Sequence, residues 1–173
     1  MKCITGLFAL LMINHVIAGW QNSYDQEFTF TCPTGQVIYK VKSQHSNSKE
    51  DRQFEFFCRS FSASLPSSSC TWTGYINEYD QPFTATCPYN GVVVGVNSKH
   101  SNSKEDRIWK LKCCQSSAYN AINCYDTPLI NDWDDYHTYT TPTGYFIHGV
   151  AGMHDNSMED RRWKYHVCQA QAA

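Results

Sequence analysis

Alternation of apolar and polar residues is the dominant pattern along the chain. Phe28-Thr29-Phe30-Thr31-Cys32, Trp109-Lys110-Leu111-Lys112-Cys113 and Trp163-Lys164-Tyr165-His166-Val167 each place every second side chain on one face, the period of a half-buried strand. Val37-Ile38-Tyr39-Lys40-Val41 and Val92-Val93-Val94-Gly95-Val96 are β-branched runs entered through turns containing Pro and Gly. No stretch carries an apolar stripe of helical period, so the pattern predicts an all-β chain.

The same pattern is written three times. Ser46-Asn47-Ser48-Lys49-Glu50-Asp51-Arg52 is repeated without change from Ser101 to Arg107, and Asp155 to Arg161 is a looser copy. A histidine precedes each copy (His45, His100, His154), and each opens into an alternating run at Phe54, Trp109 or Trp163. Val41, Val96 and Val150 stand at matching places upstream. Taking Trp20, Trp72 and Trp133 as the openings gives units over 20–59, 72–114 and 133–168 within a single domain, 19–173. Self-similarity in a chain of 173 residues predicts one closed, threefold pseudosymmetric domain rather than an open solenoid.

Residues 1–18 read as a secretory signal peptide, with Met1-Lys2, an apolar run from Leu7 to Ile13 and a small-residue exit at Ala18. The run is too short, and too soon interrupted by Asn14 and His15, for a membrane span. A formal net charge of −2 offers no basic face for nucleic acid. Of the 9 cysteines, Cys3 falls in the leader, and the even remainder in a secreted chain predicts disulfides. Cys32 and Cys58 are spaced like Cys87 and Cys113, while the third unit carries Thr141 and Val167 at both places. Cys70 and Cys114 are spaced like Cys124 and Cys168, and the first unit has Arg59 where Cys114 and Cys168 stand. The expected pairs are Cys32–Cys58, Cys87–Cys113, Cys70–Cys114 and Cys124–Cys168, with exchange of partners at Cys113-Cys114 as the alternative.

No nucleophile elbow, phosphate-cradling Gly-rich loop or metalloprotease helix is present, so no enzyme activity is expected. Glu50 and Asp51 are neighbours on an extended chain and point to opposite faces, which prevents them from flanking one bond. Calcium would find oxygens in the repeated loops. Each loop, however, offers only two or three carboxylates beside an Arg, short of the donor set a hard cation takes, so no cofactor is assigned. The loops supply the side chains that hydrogen-bond sugars. The candidate ligand-binding residues are His45, Asn47, Ser48, Glu50 and Arg52; His100, Asn102, Ser103, Glu105 and Arg107; and His154, Asn156, Ser157, Glu159 and Arg161. The Glu-Asp-Arg half of each loop also reads as a fold element at a strand entrance, so ligand contact is expected first from the His-to-Ser half. Three like sites on one scaffold would gain avidity against a repetitive surface such as a glycan coat.

Asp51-Arg52-Gln53-Phe54, Asp106-Arg107-Ile108-Trp109 and Asp160-Arg161-Arg162-Trp163 resemble the Asp-Arg-[Glu/Gln]-Trp repeats of the dermatopontin family. The Cys32–Ile38 passage and the Cys113-Cys114 doublet are similar to it too, over essentially the whole mature chain. The resemblance implies a secreted extracellular-matrix or adhesion protein. Its partners would be cell-surface or matrix glycans, glycosaminoglycans and proteoglycans, or collagen, with self-association into a homo-oligomer open. Phe54 in place of Trp, Ile108 and Arg162 after Arg, and the lack of an acidic Tyr-rich N-terminal tail favour the short invertebrate haemagglutinin or amoebocyte-aggregation type over the vertebrate matrix members. The threefold pattern also resembles a β-prism, with a β-trefoil as the alternative.

Overall fold

The computed structural model describes residues 19–173, so the expected signal peptide lies outside the described residues. The strands, in chain order, are β1 (Phe28–Thr31), β2 (Gln36–Ser46), β3 (Asp51–Ser60), β4 (Cys70–Trp72), β5 (Phe83–Thr86), β6 (Val92–Ser101), β7 (Asp106–Cys114), β8 (Tyr119–Asp126), β9 (His137–Thr140), β10 (Tyr145–Asp155) and β11 (Asp160–Ala172). Among the described residues the only helical element is a 3-10 turn at Ser67–Ser69, and no helix is long and apolar enough to cross a membrane. The chain is all-β, as its alternation requires.

Three antiparallel sheets form, ordered β1-β6-β7-β4, β5-β10-β11-β8 and β3-β2-β9. Each is built on a long hairpin whose loop is one copy of the repeated motif. Each also borrows a short strand from another unit: β1 pairs with β6, β5 with β10, and β9 with β2. The exchange is cyclic, so no unit completes its sheet alone. Three separate sheets around a common interior are the arrangement of a prism rather than a trefoil's barrel and cap.

A bulge recurs at the same place in every hairpin, at Tyr39, Val94 and His148. The displaced carbonyl accepts from the backbone N–H of the residue just after the borrowed strand: Thr141 to Tyr39, Cys32 to Val94, and Cys87 to His148, all at 2.8 Å. The bulge thus turns a carbonyl out of the hairpin ladder to dock a neighbour. Gly95 and Gly149 allow the close approach, since a Cβ would stand 2.6 Å from the Phe30 carbonyl oxygen or 2.5 Å from that of Ala85.

The inward face of each strand supplies a matching set of core residues, among them Val41, Val96 and Val150. Phe54, Trp109 and Trp163 meet edge to face, with ring centroids 4.9, 5.2 and 6.0 Å apart. Such pairs add about 0.5–1.5 kcal/mol each beyond burial. The alternation of the closing strands thereby reaches its purpose: three aromatics form the centre of the core.

The four disulfides are Cys32–Cys58, Cys70–Cys114, Cys87–Cys113 and Cys124–Cys168, the pairing that the repeat spacing predicts. Cys70–Cys114 and Cys124–Cys168 join β4 to β7 and β8 to β11, the fourth strands of two sheets. The first unit has no such cystine and its sheet has three strands. Arg59 stands there instead, donating to the Tyr145 carbonyl and lying over the Tyr39 ring.

Candidate functional site

The repeated loops cap one end of the molecule, where residues of all three copies line a shared depression that includes Glu50, Glu105 and Glu159. Each loop closes with a backbone hydrogen bond from its third residue to the last residue of the incoming strand: Lys49 to Ser46, Lys104 to Ser101, Met158 to Asp155. The next residue is a glutamate with φ of 44°, 43° or 43°. Glycine adopts that conformation freely, and a side chain there costs on the order of 1–3 kcal/mol. Glu50, Glu105 and Glu159 are therefore placed for their carboxylates, which lie 3.7, 3.8 and 3.4 Å from Nε2 of His45, His100 and His154. Burial pushes the Glu105 carboxyl up, His100 opposes this, and Asp25, Glu159 and Glu50 add to it, which marks the loops as electrostatic neighbours.

Beneath the loops the Asp-Arg pairs join the units in a ring. Arg52 donates through Nε and Nη2 to Asp160 at 2.6 and 2.7 Å. Arg107 does the same to Asp51 at 2.6 and 2.7 Å, and Arg161 to Asp106 at 3.1 and 2.5 Å. Every side chain in the ring is at most 4% exposed. The fork of a guanidinium against a carboxylate is the geometry that survives burial. Sequence-adjacent Asp and Arg never pair with each other, because their side chains leave the strand on opposite faces. Each binds a different unit instead.

A second repeated set holds the ring. Asn22, Asn77 and Asn131 accept at Oδ1 from the backbone N–H of Phe54, Trp109 and Trp163 at 2.9, 2.9 and 3.0 Å. Their Nδ2 groups donate to the carbonyls of Arg52, Arg107 and Arg161. Three residues on, Asp25, Asp80 and Asp134 turn at φ 64°, 63° and 63°, and their N–H groups donate to Asp51, Asp106 and Asp160 at 2.8–2.9 Å. These equivalences correct the reading of Trp20, Trp72 and Trp133 as common openings. Tyr24, Tyr79 and Trp133 are the matching positions, and Trp72 belongs to β4. The spacing Asn-x-aromatic-Asp was visible three times in the sequence, but the tryptophans drew the alignment away from it.

The ring explains where the candidate residues fall. Arg52, Arg107 and Arg161 are buried in the joints, and the imidazoles of His45, His100 and His154 are at most 1% exposed. Asn47 and Ser48, Asn102 and Ser103, and Asn156 and Ser157 are exposed at the loop tips, with the glutamates half-buried between. Asn47 reaches Asp134 of the third unit at 3.1 Å. His100, Asp25 and Asp51 bring donor atoms within 4.8 Å of one another, as do His45, Asp134 and Asp160. In both sets the Arg fork already occupies the inner carboxylate, so a cation would compete with a guanidinium there.

One carboxylate of the ring and a histidine beside it respond to acid. Burial alone would raise the Asp160 carboxyl, but His45 and Arg52 outweigh burial and hold it well below the carboxylate range. His137, on the borrowed strand β9, is pushed down to about 3 by burial and by Arg52, against Asp160. It is therefore neutral in the fold while the unfolded chain takes a proton below about pH 6.5. Stability is full above that pH and falls as pH drops towards 3, with a slope of up to about 1.4 kcal/mol per pH unit. The Asp160 contribution has the same sign and is lost only below about pH 4. His137→Leu is expected to flatten the urea-midpoint profile between pH 4 and 6.5 and leave the loss below pH 4 in place. An unchanged slope would contradict the assignment.

The fold and the site define a disulfide-locked β domain that presents three like polar loops over a buried ionic ring. Residues 22–172 match the Dermatopontin family profile. The chain is 38% identical over 152 residues to the hemagglutinin/amebocyte aggregation factor of Limulus polyphemus, covering 87% of each. It is 34% identical to the dermatopontin of Biomphalaria glabrata, over 83% of this chain and 95% of that one. It is also 37% identical to Millepora cytotoxin-1 of Millepora dichotoma, over 85% of this chain and 65% of that protein. No solved structure matches. The chain belongs to the dermatopontin family.

Proposed function

We propose that this is a secreted adhesion protein that agglutinates cells or organises matrix by binding glycans or glycosaminoglycans through its three loop tips. The observation that carries the reading is the exposure of the same Asn-Ser pair at all three tips, on loops whose inner residues are fixed by the ring. Amide and hydroxyl groups on a rigid base bind sugars with little ordering cost, and three weak sites gain by avidity. The agglutinin and aggregation-factor name of the Limulus relative is consistent with this use. Four disulfides and the leader-like start of the sequence support an extracellular setting.

The geometry adds a requirement. All three loops face one way, so one molecule engages one surface, and bridging two cells takes a second copy. Self-association is therefore part of the proposal, and light scattering of the agglutinating form should show more than one chain. Inhibition of haemagglutination by a panel of neutral, sialylated and sulfated glycans tests the reading. A subset of glycans is expected to compete. Agglutination indifferent to every glycan, with collagen binding unaffected by sugars, would favour a structural matrix protein acting through protein contacts.

A further inference from the structure

We propose that His148 and His166 form a binding site for a divalent transition ion such as Zn2+ or Cu2+ on the sheet ordered β5-β10-β11-β8. The two lie on neighbouring strands, His148 at the bulge of β10 and His166 on β11, with ring centroids 5.5 Å apart and planes at 54°. His148 Nδ1 donates to the Gly91 carbonyl at 2.6 Å, and His166 Nδ1 donates to Asp126 Oδ1 at 2.7 Å. An imidazole whose Nδ1–H is held by an oxygen carries its lone pair on Nε2, the tautomer and second-layer contact that metal-binding histidines show. Both rings are set this way.

The spacing suits one shared ion. With metal–nitrogen bonds of about 2.0–2.1 Å the ion sits roughly 3.2 Å from each ring centre, which puts two rings about 5.2 Å apart around a tetrahedral ion. Imidazole is the donor that Zn, Cu and Ni favour, and two rings leave the remaining positions to water or an outside donor. His166 is 27% exposed and Asp126 67%, so the site is open to solvent. Cys124 and Cys168 also lie within 4.8 Å of His166, but they are bonded to each other and offer no thiolate. The site is peculiar to the third unit, since Tyr39 with Phe57 and Val94 with Lys112 occupy the matching places.

This inference stands apart from the glycan reading and is tested without it. Oxidised, tag-free protein is titrated with ZnCl2 by calorimetry, and with CuSO4 followed by visible absorption. Saturable binding of one ion per chain is expected, weakened at least tenfold in His148→Ala and in His166→Ala, and about tenfold in Asp126→Asn. Absence of binding, or an affinity unchanged in the His148→Ala/His166→Ala double variant, would overturn it. His166 and Asp126 are exposed enough that their variants should keep the parent's far-UV spectrum and melting temperature, while His148→Ala, which gives up the Gly91 hydrogen bond, should keep the spectrum and melt a few degrees lower.

Discussion

Arg107→Ala is expected to lower stability by about 3–5 kcal/mol, enough to leave a typical domain close to unfolded. The loss follows from what remains behind. Asp51 is 1% exposed and accepts two guanidinium hydrogen bonds plus the Asp25 N–H. Without the guanidinium a carboxylate stays buried beside one N–H donor, and the cavity left by the Arg stem adds to the cost. The intact pair is a different matter, because its attraction is set against the desolvation of both charges. Arg107→Met combined with Asp51→Leu should therefore recover much of what Arg107→Ala loses. Urea denaturation of Arg107→Ala and of the Arg107→Met/Asp51→Leu double variant checks this. A loss below about 1 kcal/mol in Arg107→Ala would mean that the joint is solvated and the ring is not what holds the units together.

The second large effect is loss of the Cys87–Cys113 cystine. Chain entropy assigns about 3.5 kcal/mol to a loop of this length and about 4 kcal/mol to the longer loop closed by Cys124–Cys168, too small a difference to rank them. Burial decides instead. Cys87 and Cys113 are 2% and 1% exposed, both inside the core, whereas of the other pair only Cys168 is buried and Cys124 is exposed on an outer strand. Replacing both Cys87 and Cys113 by Ala removes the cross-link and leaves unfilled core volume, so it should cost more than the same change at Cys124 and Cys168. Thermal melts of the two double variants compare them directly, and the reverse order would show that cross-linking the edge strand matters more than filling the core.

Much of this was legible in the residues. Alternation predicted strands, and threefold spacing predicted the cystines, because a disulfide must obey the same symmetry as the backbone it joins. The aromatic starts of the closing strands were legible as core for the same reason. The ring was not. Asp51 and Arg52 look like partners in sequence, but the period of a strand sends them to opposite sides, and their true partners are Arg107 and Asp160. Nothing short of the strand exchange between units reveals that pairing. The placement of the histidines was not legible either. His45, His100 and His154 read as polar loop residues, and each is the penultimate residue of a strand that turns its ring inward against carboxylates of another unit. The Asn22, Asn77 and Asn131 clamp was available as a pattern and was obscured by tryptophans that happen to sit nearby.

The account divides each loop between a buried half that builds the fold and an exposed tip that meets a ligand. The most direct test is a single variant, Asn47→Ala/Asn102→Ala/Asn156→Ala, measured for both melting temperature and haemagglutination titre. The exposed amides contribute little to folding, about 1 kcal/mol or less each. The account predicts a melting temperature within a few degrees of the parent and a titre reduced at least tenfold. A parental titre from the folded triple variant would contradict it.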